Sequence, residues 1–142
     1  MYFLSTPSRP RYLLRIADGA TDYLNVGSEW TGFINRWSAD WRTDAINSTG
    51  ITGSASIANA AWHHIAVTRL GTLFSFWADG ALVASTNASY YNPAGPKSVY
   101  VGSQGPASTD GLHGMIDEVR ITNGVARYSA PFTPPTAPFR VL

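Results

Sequence analysis

Apolar and polar residues alternate in short runs along most of the chain, and Gly, Pro, Asn and Asp separate the runs. A period of two is typical of β-strands, and no pattern with the period of a helix continues beyond about two turns. We therefore predict strands at residues 11–16, 23–26, 62–69, 73–84, 97–102 and 114–122. Between 30 and 57 we expect two or three more strands, with turns near 47–50 and 53.

The clearest element is a hairpin over residues 73–84, LFSFWADGALVA. Two β-rich arms flank Asp79-Gly80, and Asp-Gly favours the positive φ angles of a tight hairpin turn. Repeated short strands of this kind predict an all-β fold, a two-sheet antiparallel sandwich. The tail, residues 128–142, contains the run PFTPPTAP, and we expect an extended, polyproline-like strap that docks through Phe132 and Phe139.

The composition excludes several classes of function. The chain has no cysteine, which excludes disulfides, thiolate metal sites and cysteine catalysis. Its net charge is +1 and its ten Lys and Arg residues are scattered, so we expect no nucleic-acid partner. No run approaches the ~20 apolar residues of a membrane span, so we expect no membrane insertion. Only 13% of residues are charged, against about 25% on average, which indicates wide polar but uncharged surfaces.

Four segments in order resemble a known family. They are WHHIAVTR (62–69), FSFWADGALVAS (74–85), VYVG (99–102) and GMIDEVRIT (114–122). Together they resemble the laminin-G-like and pentraxin group of concanavalin A-like domains, which implies a jelly-roll sandwich. The closing run IDEVRITNGVARYSAPFTPPTAPF (116–139) resembles laminin-G-like modules of bacteriophage tail-fibre and virion-surface proteins. The resemblance implies a laminin-G-like domain over residues 1–127, followed by the strap at 128–142.

The front of the chain departs from that family, because YFLSTPSRPRYLLRI is more similar to the stretch that follows the family's opening strands. On this interpretation one or two N-terminal strands are missing. A sandwich without an edge strand exposes unpaired backbone groups, which proteins usually cover. We therefore expect other virion proteins or copies of this chain to supply the cover, and a homo-oligomer.

Catalysis is not expected, although glucanases share this fold. Glycoside hydrolysis needs two carboxylates on either side of the bond. The chain has two glutamates, Glu29 and Glu118, and no Glu-x-Asp-x-Glu strand of the kind that the fold's hydrolases carry. Asp117 and Glu118 are adjacent, so on a strand they point to opposite faces. We predict that the chain is not an enzyme.

Two polar residues are predicted to be structural. Asp117 alternates in phase with the apolar residues of its strand, so it is expected to point inward. A buried carboxylate needs partners, and the backbone or His64 would supply them. A metal-ligand role for Asp117 is the alternative.

Metal binding is not the favoured interpretation. His63 and His64 point to opposite faces of a strand, so they do not form a metal pair. The resemblance to pentraxins implies calcium as an alternative, held by the loop 102–114. Only Gln104 and Asp110 offer suitable oxygens there, and calcium takes six to eight. We expect no cofactor, with calcium at this loop as the weaker possibility.

Aromatic and amide residues remain as candidates for sugar binding, since sugars stack on rings and their hydroxyls bind polar groups. Trp37 and Trp41 are four residues apart and share one strand face, either as a sugar platform or as part of the core or a subunit interface. Trp62 and Trp77 lie in strong strands and are predicted to be core. The candidate glycan-binding residues are Trp37, Trp41, Tyr90, Tyr91, Asn92 and His113.

Three functions are compatible with these observations. The first is a bacteriophage tail-fibre or virion-surface protein whose lectin-like domain attaches to host glycans, located on the virion. The second is a decoration or assembly module that binds only other virion proteins. The third is a free lectin or adhesion domain. Fold alone does not choose among them, because function depends on the site.

Overall fold

The structure is a computed structural model, and it describes residues 2–3, 11–18, 23–30, 35–44, 46–56, 58, 60–90, 95–106, 108 and 111–139. Within these ranges the chain forms strands and connecting segments and no helix, so it has no helix that could cross a membrane. The strands are β1 (Tyr2–Phe3), β2 (Arg11–Ala17), β3 (Tyr23–Trp30), β4 (Asn35–Arg42), β5 (Ser48–Ser56), β6 (Ala61–Trp62), β7 (Ile65–Leu70), β8 (Leu73–Ala78), β9 (Ala81–Asn87), β10 (Ser98–Val101) and β11 (Gly114–Met115).

Five strands form the first layer, an antiparallel sheet in the order β10-β2-β3-β4-β5. Side chains alternate between the faces of a strand, so Trp37, Ala39 and Trp41 of β4 all point to one face. Each is at most 5% exposed, which identifies this face as the inner one. The residues between them in β4 are polar and lie on the outer face.

Two three-stranded antiparallel sheets make up the second layer. β7-β8-β9 is a pair of consecutive hairpins. The other sheet, β11-β1-β6, consists of three strands of two residues each, with β1 in the centre. β6 ends two residues before β7 begins, so the small sheet continues the layer of the larger one. The all-β, two-layer antiparallel fold predicted from the sequence is thus confirmed.

The core lies between the two layers and is centred on aromatic residues. The rings of Trp41 and Phe74 stack with centroids 3.8 Å apart, and Phe76 beside them is 1% exposed. Trp41 Nε1 donates a hydrogen bond to Ser89 O at 3.1 Å, which satisfies the one polar atom of the fully buried indole. Burial of a large aromatic side chain contributes about 2–3 kcal/mol, so this contact holds the layers together.

The segment from Tyr128 to Pro134 runs over the outer face of β7 and β8 and their turn, and Phe139 contacts Glu118 and Arg120. Trp77 points to that face and its Nε1 donates to Thr68 Oγ1, while Thr68 Oγ1 donates to Tyr128 O. Phe132 stacks on Tyr128 at 3.6 Å between centroids and also contacts Trp77. The outer face around Thr68 and Trp77 is therefore covered by the chain's own strap.

Local turn chemistry was predicted well, and the turns between 30 and 57 were not. Asp79 and Gly80 have φ angles of 51° and 83° and connect β8 to β9, as predicted. Residues 48–50 and Gly53 belong to β5, so the predicted turns there are wrong. Gly53 is instead buried where β5 approaches β9, and a Cβ on it would lie 2.3 Å from Val83 Cγ1.

Two expectations about the sheets are also wrong. The strand predicted over 114–122 pairs only at Gly114–Met115 within the described residues. Trp62, predicted to be core, is 54% exposed because it lies at the end of the short strand β6, whereas Trp77 is buried as expected. Both errors concern the side of the second layer where β1 lies.

Candidate functional site

The outer face of the five-stranded sheet carries a row of polar side chains in register. Backbone pairing aligns Arg15 with Asn25 and Asn25 with Asp40 across three strands. Arg15 Nη1 donates to Asn25 Oδ1 at 3.2 Å, and Asn25 Nδ2 donates to Asp40 Oδ2 at 3.0 Å. Asn25 is only 4% exposed, which a polar amide tolerates because both of its ends are hydrogen-bonded. The row is therefore held in one geometry.

An aromatic ring lies beside this row. The guanidinium carbons of Arg15 and Arg42 lie 4.9 and 5.3 Å from the ring centroid of Tyr23. Both distances are within the range of cation–π attraction. The ring and the two guanidinium planes together form an ordered, amphipathic edge to the polar face.

A shallow groove of about 370 Å³ crosses the same face, which is within the usual size of small-ligand sites. Its floor contains the small residues Gly27, Ser38 and Gly50. Tyr12 lies at its edge, and Gln104 Nε2 donates to the Tyr12 hydroxyl at 3.1 Å. Small residues between larger polar ones therefore create the depression.

The two glycines of the floor are required by the backbone. A Cβ on Gly27 would lie 2.0 Å from Arg11 O, where β2 has a β-bulge, and a Cβ on Gly50 would lie 2.7 Å from Ala39 O. Both distances are shorter than any tolerable contact with the backbone. Close approach of strands thus explains why the groove has no side chains at its centre.

The charged side chains described on this face are those of Arg15, Arg36, Arg42 and Asp40, and backbone pairing sets Glu29 opposite Arg36. The groove itself is lined by one arginine, Arg11, and one carboxylate, Asp40. Guanidinium groups bind carboxylate and phosphate groups in a planar, two-bond geometry. The groove is therefore suited to a polar ligand, with the guanidiniums of Arg15 and Arg42 on the same face of the sheet.

The sequence-based sugar platform at Trp37 and Trp41 is wrong. Trp37 is 5% exposed and Trp41 is 0% exposed, because alternation along β4 turns both indoles into the core. The Trp37 ring packs edge-on against His63 at 5.5 Å. Of the two alternatives, the core interpretation is the one that the structure supports.

The other predicted glycan residues are not brought together. Tyr90 is half-buried and packs against Phe74 at 6.1 Å, with the Arg69 guanidinium 5.4 Å from its ring. His113 is exposed. Tyr91 and Asn92 lie outside the described residues, so their predicted role stays a prediction.

Asp117 does not point inward as predicted. It is exposed, and its Oδ1 accepts a hydrogen bond from the backbone N of Glu118 at 2.8 Å. Glu118 has a φ of 54°, which interrupts the alternation on which the prediction depended. The interior position of the segment is taken by Ile116, which is half-buried, while Met115 and Val119 are about half exposed.

His64 has a structural role, but its acidic partner is Asp79. Asp79 Oδ1 accepts from His64 N, and Asp79 Oδ2 lies 2.8 Å from His63 Nδ1. His63 Nε2 is 3.0 Å from Ala58 O. One carboxylate in the hairpin turn thus fixes the start of β7.

The ring of His64 packs edge-on against both Tyr128 and Phe132 of the strap, which stack on each other. Burial among these rings lowers the pKa of His64 below its ordinary value, and the nearby Asp79 charge opposes that shift. Its Nδ1 is buried and makes no hydrogen bond. A protonated Nδ1 would have no hydrogen-bond acceptor here, so the neutral form of the ring suits the site.

The predicted calcium residues do not form a site that can be described. The amide of Gln104 is directed to Tyr12, and Asp110 lies outside the described residues. No three His, Asp or Glu side chains converge in the part of the chain that the structure describes. Gln104 alone supplies far fewer oxygens than calcium requires.

The residues of the polar row are not predicted from the sequence. Arg15, Asn25 and Asp40 are far apart in sequence, and none belongs to a recognisable motif. A signal was present in β4, where NRWSADWR alternates polar and apolar residues. The same alternation that places the two tryptophans on one face of β4 places Asp40 on the opposite, outer face.

Comparison with known proteins agrees with this architecture. A family model described as "Concanavalin A-like lectin/glucanases superfamily", in its laminin-G form, matches residues 1–127. A search of the curated proteins gave no match. Among solved structures, an S-layer domain-containing protein from Clostridium thermocellum ATCC 27405 (residues 221–444) is similar. It has 19% identity and a TM-score of 0.39, and the match covers 87% of this chain and 64% of that one.

The structural likeness is too distant to carry a functional argument, whereas the family model covers most of the chain and agrees with the observed layers. This chain belongs to the concanavalin A-like lectin/glucanase superfamily, in its laminin-G family.

Proposed function

We propose that this chain is a non-catalytic attachment module that binds carbohydrate on the outer face of its five-stranded sheet. The observation that carries the proposal is the row Arg15–Asn25–Asp40, which is hydrogen-bonded in register beside a groove with a glycine floor. Sugar hydroxyls donate and accept hydrogen bonds, and polar side chains such as Ser38 and Asp40 line the groove beside the row. Because the row is already ordered, binding loses little side-chain entropy.

Catalysis is not part of the proposal. Asp40 carries the one carboxylate among the described side chains of the face, and Asn25 donates a hydrogen bond to it. A retaining or inverting glycosidase needs a second carboxyl group within about 10 Å that can act as acid or base. Asp40, the one carboxylate described on this face, can bind a sugar hydroxyl without cleaving a glycosidic bond.

The two guanidiniums beside the Tyr23 ring, those of Arg15 and Arg42, indicate the class of sugar. Guanidinium groups bind carboxylates, so they favour glycans that carry acidic groups over neutral ones. Such an interaction weakens as salt is added, because exposed charges are screened over about 10 Å at 0.1 M ionic strength. We therefore expect acidic glycans to bind more strongly, with an affinity that falls as salt rises.

We further propose that the module belongs to a bacteriophage appendage or virion surface and attaches it to host glycans. Support for this comes from the run 116–139, which resembles virion-surface modules. A surface-attachment role is also compatible with a domain that leaves one broad polar face open.

An assembly module that binds other virion proteins is the second candidate. Apolar side chains that are about half or more exposed favour it, since large exposed apolar patches mark protein contacts. One group of them lies near β6, β11 and the segment that follows, namely Trp62, Met115, Val119, Ile121 and Val125, while Ile46, Leu70, Val99 and Val101 lie elsewhere.

A glycan array that includes acidic and neutral sugars, probed with the purified chain and with Ser38→Phe, tests the proposal. Ser38 lies in the groove, so the phenyl ring should fill it and lower binding at least tenfold. Ser85→Phe, on the outer face of β9, is the matched control and should bind like the unmodified chain. Equal thermal stability of the two variants shows that folding is not the cause.

A blank array with the unmodified chain would contradict carbohydrate binding. Equal loss of binding in Ser38→Phe and Ser85→Phe would contradict the assignment to this face.

A further inference from the structure

Backbone register places a second row of residues along the groove of the five-stranded sheet. Tyr12 of β2 pairs with Gly27 of β3, which pairs in turn with Ser38 of β4. Ser38 pairs with Thr52 of β5. Residues directly opposite each other in antiparallel strands share a face, so this row lies on the outer face with the polar row. All four residues line the groove, which therefore crosses the strands from β2 to β5.

The β2 end of the groove has an aromatic wall. Gln104 Nε2 donates to the Tyr12 hydroxyl, which fixes the half-buried tyrosine at this end. Gly27, directly across from Tyr12, has no side chain, and its backbone lies too close to Arg11 O to carry one. A ring thus stands beside a bare position on the floor. A sugar ring suits this place, because its apolar C–H face packs on an aromatic ring while its hydroxyls stay in the polar groove.

The β5 end of the groove has a different character. Among the described strands, β5 is the last of this sheet and pairs only with β4. Gly50 of β5 lies opposite Asp40 and also lines the groove. The floor therefore has no side chain at Gly50 next to the edge of the sheet, whereas at the opposite end the Tyr12 ring limits it. A linear ligand that lies in the groove would end at Tyr12 and leave over Gly50.

A cation lies beside the walled end. Arg15 is the next outward-facing residue after Tyr12, because a β-bulge shifts the register between Tyr12 and Leu14. Its Nη1 donates to Asn25 Oδ1, and Asn25 lines the groove. A carboxylate on a sugar packed against Tyr12 would thus lie near a guanidinium, the side chain that binds carboxylates best.

We propose that the groove binds the free end of an acidic glycan chain, and that Tyr12 is the residue against which the terminal sugar packs. The rest of the glycan would leave over Gly50 at the edge of β5. This inference rests on the proposed binding of carbohydrate and adds which part of the glycan is recognised. Glycans attached to a surface present their non-reducing ends, so an attachment module would meet that end first.

The test is an array of acidic oligosaccharides, each printed in two forms. One form has its non-reducing end free, and in the other a neutral sugar extends that end. The unmodified chain should bind the free form about tenfold or more tightly, because the added sugar collides with Tyr12. Tyr12→Leu should bind the free form about tenfold more weakly, since aromatic packing is lost, and should no longer distinguish the two forms.

Tyr100→Leu is the matched control. Tyr100 of β10 pairs with Arg15, so it lies on the same outer face and is also half-buried, but it does not line the groove. This variant should keep the affinity of the unmodified chain and its preference for free ends. Melting temperatures of the two variants show whether either has lost stability, and the comparison of free and extended glycans with the unmodified chain needs no variant.

Equal binding of free and extended glycans by the unmodified chain would overturn this inference and leave carbohydrate binding intact. The same conclusion would follow if Tyr12→Leu and Tyr100→Leu behaved alike. Binding to none of the acidic oligosaccharides would contradict the proposed function itself, and this inference with it.

Discussion

At the scale of single residues, His64 links the start of β7 to the strap. Its ring lies 5.7 Å from the Tyr128 centroid and 5.3 Å from the Phe132 centroid, both edge-on. Its backbone N donates to Asp79, while its buried Nδ1 has no partner. The surroundings therefore hold the neutral ring, which explains the direction of its pKa shift.

Acidification should weaken the fold through His64. Because burial lowers the folded-state pKa below the unfolded value of 6.5, the unfolded state binds the proton first. The stabilisation is complete above about pH 6.5 and is lost as pH falls through the lower, folded-state pKa. His64→Gln should therefore show a smaller drop in melting temperature between about pH 7.5 and pH 5 than the unmodified chain.

The exposed His113 gives the matched control. His113→Gln should keep the full pH-dependent drop of the unmodified chain. If His64→Gln loses as much stability on acidification as His113→Gln does, the result contradicts the prediction that the neutral His64 ring stabilises the fold.

Single-residue roles could be predicted only where alternation continued undisturbed. Trp37 and Trp41 shared a face, as the pattern indicated, but only packing against Phe74 decides that this face is the inner one. Asp117 was misplaced because Glu118 adopts a positive φ angle, which a period of two does not encode. The polar row across β2, β3 and β4 depends on register between distant strands, and register is a property of the folded sheet.

At the scale of elements, the β8–β9 hairpin anchors the strap through its turn. Phe132 N donates to Gly80 O at 3.0 Å, and Phe132 O lies so close that a Cβ on Gly80 would be 1.8 Å from it. Gly80 therefore serves two needs, a positive φ of 83° and room for the strap backbone.

Gly80→Ala should displace the strap as well as strain the turn. Gly71→Ala is the matched control, because Gly71 also has a positive φ, of 60°, but has nothing within 4 Å of a Cβ. We expect Gly71→Ala to cost about 1–2 kcal/mol from backbone strain alone. Gly80→Ala should cost clearly more in chemical denaturation and should speed proteolysis within residues 128–139. Equal costs for the two variants would show that the strap does not depend on this contact.

Elements fixed by local chemistry could be predicted, and those fixed by distant partners could not. The Asp79-Gly80 hairpin follows from two adjacent residues whose preferences match the turn. Residues 116–122 have a strand-like sequence, yet a strand forms only beside a partner, and within the described residues pairing ends at Met115. The same reasoning explains the shift of the turns around β5, where contact with β9 extends the strand through Gly53.

At the scale of the whole molecule, the two layers have different outer faces. The strap packs aromatic residues on the outer face of the second layer around Thr68 and Trp77, whereas the outer face of the five-stranded sheet is polar and carries a groove. One group of exposed apolar side chains lies near β6 and β11, in the second layer. The surface that we propose for sugars is therefore distinct from the one that favours contact with other proteins.

The proposal that sugars bind the five-stranded sheet is tested most directly by mapping backbone amide shifts in NMR spectra. The titrant is the oligosaccharide that the array selects. We predict that the shifts concentrate in β2, β3, β4 and β5 around Asn25, Ser38 and Asp40, with little change in β7–β9. Shifts confined to the loops near Tyr90 and His113, with the sheet unchanged, would contradict the account.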